Sequence, residues 1–221
     1  TQLKSYQQDM LKQYLGSLTK YDMLEPNEMV SIFILNKKPR AIEPIFQKCY
    51  PNIDKEAINL EILKEEYLEP FIDEINDISN KDFYNRESKS WSPIMEWIRE
   101  MLERPDFQTK NQRMIIFSDM IENNTNLFSM YISKKWFKNN SDYQYWINDS
   151  KVSEYFNSII YEVGENFNLA ILQLKKNEDR DHPSSKIIKN FWIDFLNDKN
   201  LLIDFSPSCM KNKFKNCWEI K

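Results

Sequence analysis

Short apolar runs of strand length alternate with amphipathic stretches of helical length along most of this chain, and that alternation limits the folds it can adopt. In the C-terminal part the predicted strands are residues 113 to 118, 166 to 174 and 201 to 205. Helical patterning is weak around 133 to 147 and clear at 151 to 162 and 184 to 198. Strands joined by helices of this length form right-handed crossovers, so the pattern predicts a mostly parallel sheet with helices on both faces.

The N-terminal part of the chain adds a predicted hairpin. Residues 2 to 20 carry a helical apolar stripe. Residues 29 to 35, MVSIFIL, form an apolar run between turn signals, which is typical of a buried strand. The segment 41 to 49 returns as a hairpin partner, and Pro44 makes that partner an edge strand because proline cannot donate to the ladder.

Two further helices follow this hairpin. Residues 55 to 78 have apolar side chains at helical spacing, with a kink or break predicted at Pro70. A polar linker at 79 to 90 leads to a helix predicted over 92 to 103. That helix has proline at its first position, where the missing N–H costs nothing.

The counts of a few residue types exclude several kinds of site. The two glycines, Gly16 and Gly164, cannot form a GxGxxG or P-loop, so we expect no nucleotide ligand. His182 is the one histidine, which excludes a two-histidine zinc centre built from this chain. The three cysteines are far apart and form no CxxC pair, which favours a reducing compartment.

Charge and hydropathy indicate the expected partners and location. The formal net charge is −4 and acids alternate with bases, so nucleic acid is not the expected partner. No apolar run reaches the ~18 to 20 residues of a membrane span. We predict a cytoplasmic protein with protein or metal partners. The chain starts at Thr1 inside a helical pattern, so an upstream signal or anchor, and membrane contact through it, stays open.

A candidate site lies where the strand at 113 to 118 ends. In open parallel sheets the ligand crevice lies beyond the carboxyl ends of the strands, and Asp119 follows this strand directly. The helix that begins at Ser92 should face the same edge, so a hydroxyl and a carboxylate would converge. Such ligands suit Mg²⁺ or Mn²⁺. The structural alternatives are Ser92 as a helix N-cap and Asp119 as a cap of the turn after its strand.

Other candidate clusters have simpler interpretations. The stretch NEDRDHPSSK, at 177 to 186, groups acids with a histidine, but adjacent acids before a proline usually form a solvated loop. The tail at 208 to 221 interleaves lysines with Phe214 and Trp218. That pattern is compatible with single-stranded nucleic acid but is more common in a solvated or packed terminus. Ser129 has no histidine base near it in sequence, so a catalytic serine is not indicated.

Four segments resemble bacterial proteins with a von Willebrand factor A-like domain. They are PIFQKCYPN at 44 to 52, SWSPIMEWIREML at 90 to 102, RMIIFSDMIENNTNLFSMY at 113 to 131 and NFWIDFLND at 190 to 198. Members of that family carry Ser-Pro-Ile-Met-Glu, then a strand that ends in Ser-Asp-Met or Ser-Asp-Leu, then Ser-x-Tyr. The resemblance covers most of residues 1 to 205 in order.

The resemblance implies a Rossmann-like, three-layer fold of von Willebrand A type with an antiparallel edge hairpin, over residues 1 to 207. It also implies a metal-ion-dependent adhesion site, in which Ser92 matches the second-loop hydroxyl and Asp119 the late aspartate. The family's first strand and Asp-x-Ser-x-Ser loop have no counterpart here, and Thr1 falls about where that loop would join its helix. We expect them upstream, or replaced by another segment, so the metal site of this chain is expected to be incomplete.

The function that the resemblance implies is a non-catalytic interaction module of a bacterial multi-protein system. A divalent ion, Mg²⁺ or Mn²⁺, would sit at the edge of the sheet, and a carboxylate of a protein partner would complete its ligands. The residues expected to contact that partner are Glu122, Asn123, Asn124 and Ser129.

Two alternatives to this function stay open. One is a metal-dependent hydrolase or nuclease that uses Asp119 and Glu122 with Glu178 or Asp181, because paired carboxylates can bind Mg²⁺ for water activation. The other is a structural subunit with a degenerate metal site. An enzyme requires at least two acids close together at the strand ends, whereas adhesion requires hydroxyls and one acid.

Overall fold

The computed structural model of the chain describes residues 9, 11–13, 15, 24–34, 43–53, 57–80, 92–108, 111–124, 127–131, 143–164, 166–173, 184–201 and 203–204. The chain divides into two compact units. The first comprises Thr1–Ser88 with Lys213–Glu219, and the second comprises Lys89–Asn212 with Ile220–Lys221. Compact units can belong to one domain, so the single domain predicted over residues 1 to 207 stays a prediction. The predicted tail, 208 to 221, lies outside the described residues.

The first unit contains the predicted hairpin. Strand β1, Met29–Ile32, pairs antiparallel with β2, Phe46–Cys49. The register places Met29 opposite Cys49 and Ile32 opposite Phe46. β1 is shorter than predicted, because residues 33 and 34 lie outside the strand. β2 begins two residues after Pro44, as expected for a residue that cannot donate to a ladder.

A long helical stretch follows the hairpin and passes through Pro70 without a break. It consists of helix α1, Leu60–Leu63, a π-helical turn, Lys64–Leu68, and helix α2, Glu69–Asn80. In an α-helix Pro70 would lack the hydrogen bond to the carbonyl four residues earlier and its ring would clash there. The π turn has hydrogen bonds that span five residues, so it relieves this conflict. Of the kink or break predicted at Pro70, the break is wrong, and the helix departs from α-helical geometry in the π turn just before the proline.

Helix α2 and the hairpin form the small core of the first unit. The Phe71 ring makes edge-on contacts with Phe46 and Tyr50, at centroid distances of 5.4 and 5.5 Å. The described residues of the helix predicted at 2 to 20 are helical. Among the described residues of this unit, the buried apolar side chains are Leu15, Leu24, Phe46, Phe71, Ile75 and Ile78.

The second unit is built on a parallel sheet of three strands. They are β3, Asn111–Ser118, β6, Asn166–Gln173, and β7, Ile203–Asp204. Their order is β3-β6-β7, and β3 pairs with β6 over its full length, from Asn111 opposite Asn166 to Ser118 opposite Gln173. Consecutive parallel neighbours confirm the predicted parallel sheet for this part of the chain.

Four helices accompany this sheet. They are α3, Ile94–Leu102, α4, Tyr143–Ile147, α5, Ser150–Ser158, and α6, Ser185–Asp198. The predicted helices at 92 to 103, 151 to 162 and 184 to 198 are confirmed, and their ends differ from the prediction by at most four residues. Of the weak pattern at 133 to 147, the described residues form α4. Residues 132–142 lie outside the described part, as does most of the predicted linker at 79 to 90.

A short hairpin between β3 and α4 was not predicted. Strand β4, Asn123–Asn124, pairs antiparallel with β5, Phe128–Ser129. The Phe128 ring stacks on Phe191 at 5.3 Å and meets Trp146 and Phe156 edge-on at 5.2 and 5.1 Å. This hairpin is therefore anchored in the aromatic core of the second unit, which α3 to α6 also line.

The architecture is mixed α/β, with a small parallel sheet and two antiparallel pairs, which confirms the predicted class in its coarser form. Apolar burial drives both cores, since each Phe or Leu side chain that leaves water contributes roughly 1.5 to 3 kcal/mol. No helix in the described part of the chain is long and apolar enough to cross a membrane.

Candidate functional site

The chain leaves β3 through a tight turn that contains Asp119. The Ser118 hydroxyl accepts a hydrogen bond from the Met120 N–H at 3.1 Å, and Asp119 Oδ1 accepts one from the Ile121 N–H at 3.2 Å. Both side chains therefore satisfy backbone donors of the turn, as expected for serine and aspartate. We call residues 118–131, of which 125 and 126 lie outside the described part, the strand-exit segment.

Met120 has a backbone conformation that is unfavourable for its residue type. Its φ is +59°, in the left-handed region, where a residue with a Cβ atom pays roughly 1 to 2 kcal/mol. Its side chain is completely buried, and its carbonyl accepts a hydrogen bond from the Trp192 indole Nε1–H at 2.7 Å. The turn is thus fixed by a contact from α6 and by the burial of Met120.

Glu122 connects the strand-exit segment to helix α3. Its side chain is completely buried, and Oε2 accepts a hydrogen bond from the Met95 N–H at 3.0 Å. The Tyr155 hydroxyl donates to Oε1 at 3.4 Å. The carboxyl group therefore lies at the N-terminus of α3, where backbone N–H groups lack partners within the helix.

The N-cap predicted for α3 is different from the one observed. The residue at the N-cap position is Pro93, whose side chain offers no acceptor, and the helix begins at Ile94 rather than at proline. Ser92 lies one residue further out, so its interpretation as the N-cap is wrong. The Glu122 carboxyl group accepts the hydrogen bond from the Met95 N–H in the first turn instead, although the two residues are 27 apart in sequence.

Burial raises the pKa of the Glu122 carboxyl to about 8, and the nearby Glu96 charge acts in the same direction. The N–H groups of Met95 and Ile94 and the Tyr155 hydroxyl oppose this, since they favour the ionised form. Desolvation is the larger effect, so Glu122 is mostly protonated at neutral pH. The helix N-terminus therefore binds an uncharged carboxyl group.

Ser92 lies directly beside the strand-exit segment. Its N–H donates to the Asn123 carbonyl and its carbonyl accepts from the Asn123 N–H, both at 2.8 Å. The Asn124 side-chain amide donates to Glu96 Oε1 at 3.1 Å. The backbone of Ser92 is thus bridged to residue 123, and the predicted convergence of the Ser92 hydroxyl with the Asp119 carboxylate stays a prediction.

The predicted partner-binding residues have mostly interior positions. Glu122, Asn123 and Asn124 are 0%, 4% and 7% exposed, and Asp119 is 8% exposed. Ser129 is half-buried, and its hydroxyl accepts from a backbone N–H at 3.3 Å. Their predicted contacts with a partner stay predictions, and these positions give them intramolecular roles first.

Tyr131, at the far end of the segment, lies close to Asp119. Burial raises the pKa of the Tyr131 hydroxyl, and the negative charge of Asp119 raises it further. The Met130 N–H also donates to the Glu122 carbonyl at 2.9 Å, so the stretches that carry the Ser-Asp-Met and Ser-x-Tyr motifs run close together. Asp119 also acts as a turn cap, as its structural alternative predicted.

The described residues alone do not fit a Mg²⁺ or Mn²⁺ site. Within the described ranges no three or more His, Cys, Asp or Glu side chains form a group that could bind a metal ion. Ser92 and Asp119 would supply one hydroxyl and one carboxylate, and six oxygen ligands are usual for these ions. Glu178 and Asp181, which the hydrolase alternative requires, lie outside the described part.

Several contacts of the site involve residues that sequence analysis did not select. The Tyr161 hydroxyl donates to the Met95 carbonyl at 3.2 Å, and Tyr155 and Trp192 bind Glu122 and Met120. One general rule could have indicated such contacts, because a buried Trp or Tyr usually requires a hydrogen-bond partner. Which partner it finds depends on tertiary packing.

Comparison with known proteins adds no relatives to this description. No known protein family matches the chain, and no curated protein or solved structure matches it. The resemblance to von Willebrand factor A-like proteins therefore stays a prediction that rests on the short sequence segments alone.

Proposed function

We propose that the second unit is a non-catalytic protein-binding module and that the strand-exit segment is its recognition site. Two facts about location support this. The segment begins at the carboxyl end of β3, where open parallel sheets bind their ligands. It is also a loop fixed on a rigid scaffold, which is where binding residues concentrate.

The observation that carries the proposal is the left-handed turn at Met120. A strained backbone persists only where its surroundings impose it, and such positions cluster at functional sites. Here the Trp192 indole and the buried Met120 side chain impose the strain, directly after Asp119. A turn that is fixed before binding loses little conformational entropy when a partner arrives.

The state of Glu122 favours binding over hydrolysis. A metal-dependent hydrolase of the kind considered would use Asp119 and Glu122 together as anionic ligands. Glu122 is completely buried, faces the N-terminus of α3 and has a pKa of about 8. A neutral carboxyl group in that position is a poor metal ligand at neutral pH, so its role is structural.

The hairpin of the strand-exit segment offers an apolar contact to a partner. Phe128 is buried in the aromatic core, whereas the preceding residue, Leu127, is 43% exposed. One residue thus anchors the hairpin while its neighbour is presented to solvent. Apolar side chains at the centre of an interface supply much of its binding energy, so Leu127 is the proposed contact.

The von Willebrand A-type fold is the finer part of this proposal. The order β3-β6-β7 follows the chain, as expected for one side of a doubly wound sheet. The motifs quoted for the resemblance also lie together, since Met95 and Trp192 contact the strand-exit segment. In its metal-dependent form the proposal requires oxygen ligands beyond Ser92 and Asp119.

The metal-dependent form has a separate test. Mn²⁺ titration of the full chain, followed by its paramagnetic signal, would be compared with Asp119→Ala and with Asp149→Ala, an exposed aspartate that caps α5. Weaker Mn²⁺ binding only in Asp119→Ala supports a metal at the strand end. Equal binding in all three proteins contradicts it and leaves a metal-independent module.

The protein-binding proposal is tested by photo-crosslinking in the cells from which the chain derives. A photoreactive phenylalanine analogue replaces Leu127 in one variant and Ile160, which is 65% exposed in the same unit, in the matched control. We expect discrete crosslinked species from position 127 that position 160 does not give. The same pattern from both positions, or none from 127, would contradict the proposal.

A further inference from the structure

The first part of the long helix in the first unit has no buried residue. Neither α1 nor the π turn that follows it, residues 60–68 together, contains a buried side chain. Two large apolar residues of this stretch are strongly exposed, Ile62 at 53% and Tyr67 at 56%, and so is Ile58 in the turn just before it, at 108%. An exposed apolar cluster of this kind marks an interaction site more often than a scattered single residue does.

This helical stretch depends on its neighbour for stability. Isolated helices shorter than ~12 to 15 residues are marginal in water, and most helices gain stability by packing an apolar face. Only α2, which continues the stretch, is anchored, through Phe71 and Ile75. The preceding turns therefore present Ile62 and Tyr67, with Ile58 just before them, as large apolar side chains that are more than half exposed.

The charge of this helix indicates which kind of partner would bind its exposed apolar residues. Residues 57–80 contain seven acidic side chains and one lysine, a net charge of −6. The whole chain carries −4, so all remaining residues together carry +2, and the acidity of the protein is concentrated on this helix. The exposed acids next to the apolar residues are Glu61, Glu65, Glu66 and Glu69.

We infer that Ile58, Ile62 and Tyr67, with the acids beside them, form a docking face for a basic amphipathic segment of a partner protein. Apolar residues of the partner would cover the three exposed side chains, and its lysines or arginines would lie against the glutamates. Charge complementarity selects such a partner and speeds its association. Recognition of an amphipathic helix by an apolar surface is a common mode. This face belongs to the first unit and the strand-exit segment to the second, so the two proposals are tested by different variants.

The probe is a synthetic helical peptide of about fourteen residues, with leucine on one face and lysine on the other. Its binding to the full chain is measured by fluorescence anisotropy at low and physiological salt. A second peptide has the same leucines and glutamate in place of lysine. We expect binding of the lysine peptide that weakens with salt, and much weaker binding of the glutamate peptide.

Variants of the full chain locate the site. Ile62→Ser combined with Tyr67→Ser should weaken lysine-peptide binding at least about tenfold, since both replacements remove apolar area that the leucines of the peptide would cover. Ile160→Ser, an equally exposed change in the other unit, should leave binding unchanged. Circular dichroism checks that each variant folds, and the milder pair Ile62→Ala and Tyr67→Ala repeats the test if it does not.

Three outcomes would overturn the inference. Both peptides could bind alike, or the Ile62 and Tyr67 variants could bind as tightly as the parent chain. The third is binding that occurs only after Phe214 and Trp218 of the chain's own basic tail are replaced by alanine. That result would assign the face to the tail rather than to a partner.

Discussion

Glu122 Oε2 accepts a hydrogen bond from the backbone N–H of Met95 at 3.0 Å, across 27 residues of sequence. A completely buried carboxyl group thereby serves the N-terminus of α3, whose own N-cap residue is a proline. The contact ties the loop after β3 to the helix that precedes it. Together with the Trp192 contact it determines the shape of the proposed recognition site.

The buried Glu122 should make stability fall as pH rises. Its folded pKa of about 8 exceeds the ordinary value of 4.5, so above 4.5 the unfolded chain ionises while the folded protein keeps its proton. Stability from this group is full below pH 4.5 and is lost as pH rises through 8. The steepest loss is about 1.4 kcal/mol per pH unit. Urea unfolding from about pH 5 to about pH 9 measures it.

Glu122→Gln separates this effect from other titrations. Glutamine copies the neutral carboxyl, so the variant should match the parent within about 1 kcal/mol at pH 5 and exceed its stability at pH 9. Glu103→Gln, at the exposed C-terminal end of α3, should keep the parent's pH profile. A Glu122→Gln variant with an unchanged profile would show that Glu122 is ionised in the folded protein.

Replacing Phe128 should lower stability, whereas replacing Leu127, the proposed contact residue, should leave stability almost unchanged. Phe128→Ala removes a buried ring from the aromatic core and should cost about 3 to 5 kcal/mol. Leu127→Ala, at the exposed neighbouring position, should change stability by less than about 0.5 kcal/mol. Urea unfolding measures both, and the photoreactive residue placed at position 127 of the otherwise unchanged chain reports binding. Similar destabilisation by the two changes would refute the orientation of the hairpin.

The C-terminal end of α6 gives a prediction about backbone strain. Asn200 has φ of +58°, and the Leu201 and Asn200 N–H groups bond to the carbonyls of Leu196 and Asn197, a Schellman motif. Asn200→Gly should therefore raise stability by up to about 1 kcal/mol. Asn197→Gly, in the last turn of the helix, should lower it by roughly 0.3 kcal/mol. Thermal unfolding compares the two, and the same sign for both would contradict the motif.

Elements with a strong local pattern could be predicted from the sequence. The apolar runs at 113 to 118 and 166 to 174 became β3 and β6, and the helices around them were placed within four residues. The hairpin of β1 and β2 was also predicted, because turn signals bound both runs. In each case the hydrophobic period, the length of the run and the turn signals at its ends together distinguish strand from helix.

Contacts between distant segments could not be predicted. The β4 and β5 strands are two residues long and largely polar, so they carry no period. The Ser92-Pro93 pair has the local signature of an N-cap. The observed acceptor for the Met95 N–H is instead the Glu122 carboxyl group, which tertiary packing places at the start of α3. The left-handed turn at Met120 has no sequence signal, because methionine is not a residue that favours it.

The central claim is that the strand-exit segment is fixed before any partner binds, and hydrogen exchange at single amides tests it most directly. The claim predicts slow exchange of the Ile121, Asn123 and Met130 amides in the parent chain, because each donates a hydrogen bond within the folded unit. Trp192→Phe, which removes the donor to Met120, should speed exchange at these amides at least about tenfold while the amides of β6 stay protected. Exchange near the unfolded rate in the parent chain, or no local change in Trp192→Phe, would contradict it.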